Sequence, residues 1–462
     1  MITDEINKTF FLGIGGIGMS GLAKYLYSKG IAVAGYDKTK TVLTSEMEKM
    51  GIKIHYKDNP ELIDDLFKSK EKNLVVYTPA IPKDNNEFNY FIKNNFKLIK
   101  RSVLLGKITE NSFTISVAGT HGKTTTSSLI THILKTAGID CTAFLGGITV
   151  NYGSNYIKGK ENIMVVEADE YDRSFLTLHS DIAVVTSMDP DHLDIYGSFA
   201  EMKQAYLDFT RKLKSGGKLI VRNDLELQST YRYFLSGNNT KSSSNPTLYT
   251  GKLENTGKGI MKEEFSVQTP TGKLDHLVLG IPGKHNVENA VAAVSVAQLL
   301  KIPVKKLKKG LSTFNGVKRR FEMIINRPTL LFIDDYAHHP QEIFSCLDSL
   351  KRKIKKRNVT VIFQPHLFSR TRDFAREFGV SLSLADQVVL LEIYPAREKP
   401  VPGVTSEMIY KYIESPQKTV IKKAEVMNWI KKNKNKLDVL VTMGAGDIDQ
   451  LVKPIKKLLE NE

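Results

Sequence analysis

Short apolar runs alternate with helix-spaced stretches along the whole chain, an order that predicts strands and helices in a parallel α/β arrangement. The run Thr9-Phe10-Phe11-Leu12 reads as a strand leading through Gly13-Ile14-Gly15-Gly16-Ile17-Gly18 into a helix from about Met19 to Lys29. A second strand, Ile31 to Tyr36, ends at Asp37, which completes a βαβ unit. A further strand, Asn73 to Tyr77, stops at Thr78-Pro79-Ala80, a loop of the kind that lines a ligand crevice at the carboxyl end of a parallel sheet. A second block starts near Ile108, with strands at Ile115 to Ala118, Asn162 to Glu167 and Ile182 to Thr186. The Asn, Ser and Gly of Ser236 to Pro246 predict an exposed loop, since strand-like segments follow at Thr247 to Thr250 and Glu264 to Gln268. The block closes with a helix from about His285 to Leu300, and a third block has strands at Leu330 to Ile333, Val359 to Phe363, Val388 to Leu391 and Val439 to Thr442.

At 462 residues the chain is too long for one ordinary core, and the breaks between blocks place domains at 1–107, 108–318 and 319–462. No window approaches eighteen uninterrupted apolar residues, and Met1 to Lys8 is acidic rather than signal-like, so neither a membrane span nor a signal peptide is expected. Cys141 and Cys346 stand far apart without metal-ligand spacing, which suits a reducing cytoplasm. A net charge of +16 would suit nucleic acid, but the lysines cluster between apolar residues at helical spacing. Solvated helix faces account for them, so no nucleic-acid partner is expected, and nothing in the pattern bears on oligomeric state.

Chemistry concentrates where a strand feeds Gly119-Thr120-His121-Gly122-Lys123-Thr124-Thr125 and a helix follows. Gly119 and Gly122 let backbone N–H groups approach phosphate, Lys123 brings a point charge, and the Thr124 hydroxyl suits Mg²⁺, so the expected ligand is ATP. The loop is a shortened variant, because Val117 stands where the full pattern has its first glycine. The earlier glycine run, with Asp37 nineteen residues beyond Gly18, matches a dinucleotide fingerprint. Its turn, at Gly15, Gly16, Ile17, Gly18 and Met19, would hold the diphosphate of a sugar nucleotide equally well.

These motifs, in order, resemble the Mur ligase family, and within it the members that act on L-alanine. The likeness also rests on Glu167-Ala168-Asp169-Glu170, Asp191-His192-Leu193-Asp194, Gly283-Lys284-His285-Asn286-Val287-Glu288-Asn289, Arg319-Arg320-Phe321, Asp335-Tyr336-Ala337-His338-His339-Pro340, Gln364-Pro365-His366 with Arg370-Thr371-Arg372-Asp373, and Gly444-Ala445-Gly446-Asp447. It implies a Rossmann-like N-terminal domain for the UDP-sugar, a central ATPase-type domain with a phosphate loop, and a Rossmann-like C-terminal domain for the amino acid. The implied reaction joins L-alanine to the lactyl carboxylate of UDP-N-acetylmuramate through an acyl phosphate. ATP and Mg²⁺ are the implied cofactors.

By the same resemblance Lys123 neutralises phosphate charge, Thr124 and Glu167 hold one metal ion, and His192 is a ligand to a second. His285, Asn286 and Asn289 are implied to contact adenine and ribose, and Tyr336, His338, His366 and Arg370 to form the L-alanine pocket. Each has a plainer alternative. Glu167 could cap or pair at its strand end, His192 could be a hydrogen-bond hub between Asp191 and Asp194, and the helix-start residues could merely cap. Arg319 and Arg320 either reach the γ-phosphate on domain closure or make interdomain ion pairs. Many relatives carry a basic residue where this chain has Leu367; Arg372 either compensates for it or pairs with Asp373. Two rival functions are a sister ligase that attaches a recycled tripeptide and a non-catalytic sugar-nucleotide sensor. The Gln364 to Asp373 run argues against the first, and the presence of Lys123, Glu167 and His192 against the second.

Overall fold

The computed structural model describes residues 5–190, 193–237, 247–254, 262–354, 356–396 and 398–460. His192 and Asp191, and residues 238–246 of the loop expected after Ser236, lie outside the described residues. Ser236 itself ends a strand. The chain packs as two compact units, one of residues 1–254, 265–278 and 288–314, the other of 255–264, 279–287 and 315–462.

The first unit opens with a five-stranded parallel sheet: β1 (Lys8–Leu12), β2 (Ala32–Tyr36), β3 (Lys53–His55), β4 (Asn73–Tyr77) and β5 (Lys97–Lys100), in spatial order β3-β2-β1-β4-β5. Helix α1 (Ile17–Ser28) begins two residues before its expected start, because Gly16 is already extended as N-cap and the chain turns helical directly after it. Gly18 therefore sits within the first helical turn. Helix α2 (Arg101–Thr109) follows β5 without a loop.

Next comes a sheet centred on β6 (Phe113–Ala118), which leads through the phosphate-loop sequence into α3 (Lys123–Ala137). The further strands are β7 (Thr142–Phe144), β8 (Tyr156–Ile157), β9 (Ile163–Glu167), β10 (Ile182–Val185), β11 (Lys218–Arg222), β12 (Tyr231–Ser236), β13 (Leu248–Glu254), β14 (Glu263–Thr269) and β15 (Gly272–Leu279). Their order is β15-β14-β13-β12-β11-β10-β6-β9-β7-β8. Strand β6 lies parallel between β10 and β9, so the end of β6 and Glu167 at the end of β9 emerge on one edge. A single apolar cluster containing Phe11, Leu22, Leu26, Phe144, Val166 and Phe175 runs from the first sheet into the second. Tyr25 of α1 meets Phe144 and Tyr156 edge-on, and the Asn155 amide donates to the Ser20 hydroxyl at 3.0 Å. Helices α4 (Lys284–Leu299) and α5 (Val304–Thr313) follow.

In the second unit a six-stranded sheet has the order β16-β17-β21-β18-β19-β20, comprising β16 (Glu322–Asn326), β17 (Leu331–Asp335), β18 (Val359–Phe363), β19 (Gln387–Leu390), β20 (Gln417–Val420) and β21 (Val439–Met443). All neighbours are parallel except β16 and β17. Apolar clusters cover both faces, which explains why these strands read as continuous hydrophobic runs. Cys141 and Cys346 are free and buried.

His132 on α3 packs inside the first unit, its ring nitrogens 3.0 Å from the Tyr152 hydroxyl and 2.9 Å from the Thr313 hydroxyl. Burial pushes its pKa down to about 4. The folded ring stays neutral while the unfolded chain protonates below about pH 6.5. Stability should therefore fall as pH drops from about 6.5 to 4, by up to about 3 kcal/mol from this group, and level off below. Urea unfolding at pH 7 and pH 4.5 should show a smaller acid loss in His132→Gln than in the unchanged protein.

Candidate active site

The glycine turn after β1 is pinned from β2. The Gly15 N–H donates to Asp37 Oδ2 at 2.8 Å, and the Thr39 N–H donates to Asp37 Oδ1 at 3.0 Å. Asp37, which a dinucleotide fingerprint would use on a ribose, is thus occupied in shaping the turn. No side chain caps α1, so its first-turn N–H groups remain for an anion. Gly16, Ile17, Gly18 and Met19 line a cavity of about 280 Å³ whose other walls include Thr78, Arg101, Asn155, Gly146, Glu167 and Asp169.

Glu167 on that wall connects the cavity to the phosphate loop. The Thr124 hydroxyl donates to Glu167 Oε1 at 3.0 Å, and the Gly146 N–H donates to Glu167 Oε2 at 2.7 Å. Lys123 Nζ donates to the Gly119 carbonyl at 2.7 Å and to Glu170 Oε1 at 2.8 Å. Burial raises the pKa of Glu170 even though Lys123 opposes it. The loop is tied to the end of β10: the His121 N–H donates to the Ser187 hydroxyl at 2.7 Å, and Thr120 Oγ1 lies 3.1 Å from the same hydroxyl. Thr125 is buried in the first turn of α3. Gly122, the N-cap of α3, has φ +85°, and a Cβ there would lie 2.6 Å from Asn289 Oδ1. Only glycine meets both conditions, and they place Asn289 beside the loop.

His285 and Asn286 belong to the second unit. His285 is exposed, whereas Asn286 is buried and its amide donates to the Pro282 carbonyl at 2.6 Å, a helix-start contact. Arg319 is held within its own unit: its Nε lies 3.3 Å from Asp334 Oδ2, its Nη2 donates to the Gly444 carbonyl, and its guanidinium lies 5.1 Å from the Tyr336 ring centre. Arg320 is exposed, and its positive charge acts on His285 and His338. Asp335 accepts the Phe321 N–H at 2.6 Å and the Ala337 N–H at 2.7 Å, which joins the Arg319 and Tyr336 motifs into one piece.

The four expected pocket residues split by geometry. Tyr336, His338 and His366 form a chain of edge-on rings, with centres 5.1 Å and 5.9 Å apart. Arg370, on α6 (Phe368–Asp373), keeps Nη1 buried with no hydrogen-bond partner among the described residues. Leu367, the N-cap of α6, has φ +73°, an unfavourable conformation for leucine that its N–H bond to the Tyr394 carbonyl at 3.0 Å helps hold. Arg372 donates to Asp373 at 2.7 Å.

Models of the Mur ligase family match residues 8–113 (catalytic domain), 117–297 (middle domain) and 319–446 (glutamate ligase domain). A UDP-N-acetylmuramate–L-alanine ligase of Flavobacterium psychrophilum is 46% identical over 100% of both chains. The chain belongs to the Mur ligase family. Among solved Mur ligases, the UDP-N-acetylmuramate–alanine ligase of Thermotoga maritima shares 28% identity and a TM-score of 0.83, covering 98% of each chain. A murein peptide ligase of Psychrobacter arcticus shares the fold at a TM-score of 0.66 and 22% identity, over 98% of this chain and 99% of that one.

Sequence reasoning missed several residues at the sites of this Mur ligase. Glu170 closes the Glu167-Ala168-Asp169-Glu170 motif, but nothing in the sequence pairs it with Lys123. Gln364 and Asp447 belong to motifs far apart in the sequence, yet the Gln364 amide donates to Asp447 at 2.8 Å. Tyr394, stacked on His366 with ring centres 5.8 Å apart, lies on a loop without any motif. Arg319→Ala should cost about 3 kcal/mol in urea unfolding, because Asp334, 1% exposed, would be left as a buried charge without its cation.

Proposed function

We propose that this Mur ligase joins L-alanine to the lactyl carboxylate of UDP-N-acetylmuramate, releasing ADP and phosphate, as a cytoplasmic step of peptidoglycan synthesis. The observation that carries the reading is that the uncapped start of α1 and Glu167, the partner of Thr124, line one cavity. A sugar nucleotide seated on α1 would present its carboxylate toward the phosphate loop. The full-length relatives that match this chain bear names specifying the same sugar nucleotide and L-alanine. In this reading residues 1–107 take the UDP-sugar, 108–318 take ATP and 319–462 take the amino acid.

A carboxylate is a poor acyl donor, so it is first phosphorylated, and the amine of L-alanine then displaces phosphate from the acyl carbon. Both steps gather negative charge, and positioned cations and N–H groups are what a protein supplies to such transfers. Lys123 faces the outer phosphates of ATP, with Glu170 fixing its position. Thr124 and Glu167 supply hard oxygen donors of the kind Mg²⁺ takes, and a bound Mg²⁺ would offset phosphate charge. His192 enters as a second metal ligand on the family likeness alone. Asn289, with His285 and Asn286, is assigned to the nucleoside of ATP, and Arg320 to the transferring phosphate.

The alanine pocket follows from the ring cluster. His338 Nδ1 lies 2.9 Å from the Tyr336 carbonyl, an acceptor only, so this nitrogen carries the hydrogen. Nε2 is then left with a lone pair, and burial lowers the His338 pKa, keeping the ring neutral. Nε2 accepts a hydrogen bond from the alanine ammonium and serves as the base that takes its proton, leaving the neutral amine to attack while the imidazolium returns the proton to solvent. Arg370 Nη1 supplies the buried donor that a carboxylate requires.

Phosphate release with ATP, Mg²⁺ and UDP-N-acetylmuramate should depend on L-alanine. Turnover only with L-Ala-γ-D-Glu-meso-diaminopimelate would instead assign the chain to tripeptide attachment, and silence with both acceptors would favour a sensor. Lys123→Ala should abolish turnover while UDP-N-acetylmuramate binding, read by calorimetry, survives. Arg370→Ala should raise KM for L-alanine about 10- to 100-fold, as loss of a charged hydrogen bond does, with KM for the sugar nucleotide nearly unchanged.

A further inference from the structure

We propose that Arg101 is the side-chain cation that binds the diphosphate of the sugar nucleotide, held in place for this by Asp169; the inference rests on the reading of the first unit given above. A nucleoside diphosphate sugar carries two negative charges on its diphosphate, and a helix N-terminus offers the equivalent of only about half a positive charge. The turn from Gly13 to Met19 contains no basic residue. A cation has to come from elsewhere in the fold.

Arg101 is placed to supply it. As the first residue of α2, it follows directly on β5 and so stands at the carboxyl edge of the first sheet, where parallel sheets bind ligands. Its guanidinium lies against the start of α1: a Cβ built on Gly18 would be 3.0 Å from Arg101 Nη1. Glycine at 18 therefore keeps open the approach between guanidinium and helix end. Nη2 is paired with Asp169 Oδ2, and both residues line the cavity. That is its one hydrogen bond among the described residues, so most of the five guanidinium N–H donors remain for a ligand. The neighbouring cation, Lys100, is engaged elsewhere, with Asp172 at 2.8 Å.

The pairing with Asp169 does two things. It orients the planar fork, so that Nη1 rather than Nη2 meets the ligand, and it joins the glycine-turn wall of the cavity to the segment that carries Glu167 and Glu170. A plain strut between the two sheets would use the same ion pair, and the two roles separate experimentally. Asp169→Asn removes the strut's charge and keeps the cation, whereas Arg101→Ala removes the cation.

Calorimetric titration of the full chain with UDP-N-acetylmuramate, with UDP and with ADP provides the test. Arg101→Ala is expected to weaken UDP and UDP-N-acetylmuramate about 30-fold and ADP less than about twofold, Arg101→Lys to recover part of the loss, and Asp169→Asn to cost less than about fivefold. Equal losses in Arg101→Ala and Asp169→Asn would reduce the pair to a strut. Undiminished UDP affinity in Arg101→Ala, or in Arg101→Gln if the alanine variant does not fold, would overturn the inference while leaving the proposed function standing. Failure of the unchanged protein to bind the UDP-sugar while it still binds ADP would overturn both.

Discussion

The parallel direction of the strands is the constraint on which this molecule depends. It brings the glycine turn after β1, the phosphate loop after β6, Glu167 at the end of β9, and the Tyr336 and His366 segments after β17 and β18 to the carboxyl edges of their sheets. Helices that return along the sheet then start at that same edge, and their N-termini point partial positive charge toward ligands. Anion binding is thus built into the topology before any charged side chain is added. A parallel sheet must also be covered on both faces, which is why the chain spends long apolar helices on scaffolding.

Upon that scaffold the important cations come paired with acids. Lys123 is paired with Glu170, Arg101 with Asp169, and Arg319 with Asp334. Glu170 and Asp334 are each 1% exposed, and burial raises the pKa of both. A buried acid behind a cation weakens the cation's long-range field, but it limits the side chain to one orientation. For groups that must meet phosphate at a defined point, orientation matters more than field, since preorganised charge is what lowers a barrier. Lys123 illustrates this: bonds to the Gly119 carbonyl and Glu170 hold its ammonium at the loop.

Legibility in the sequence followed how local each signal was. The strands Asn73–Tyr77 and Val359–Phe363 appear where their apolar runs place them. Helix α1 starts earlier than its periodicity suggests, because the backbone at Gly16, not the first apolar position, decides where helical hydrogen bonding begins. The short strands β7 and β8 and the edge strands β16 and β20 left no clear signal, since a two- to five-residue segment gains its strand character from its neighbour. Arg319, ambiguous as a sequence feature, is committed to Asp334, Gly444 and Tyr336 once the fold is known.

By itself the sequence determined the order of the longer strands and helices, the positions of the two glycine turns, the residue types able to carry the chemistry, and the family likeness. These depend on neighbours within a few positions, where backbone preference and hydrophobic period act directly. Only the tertiary structure decided which charges meet. That Glu170 faces Lys123, that Arg101 lies over Gly18, that Asp335 ties two motifs together and that Tyr394 stacks on His366 all join residues distant in sequence, and such contacts come from strand order and helix packing, which no local spacing encodes.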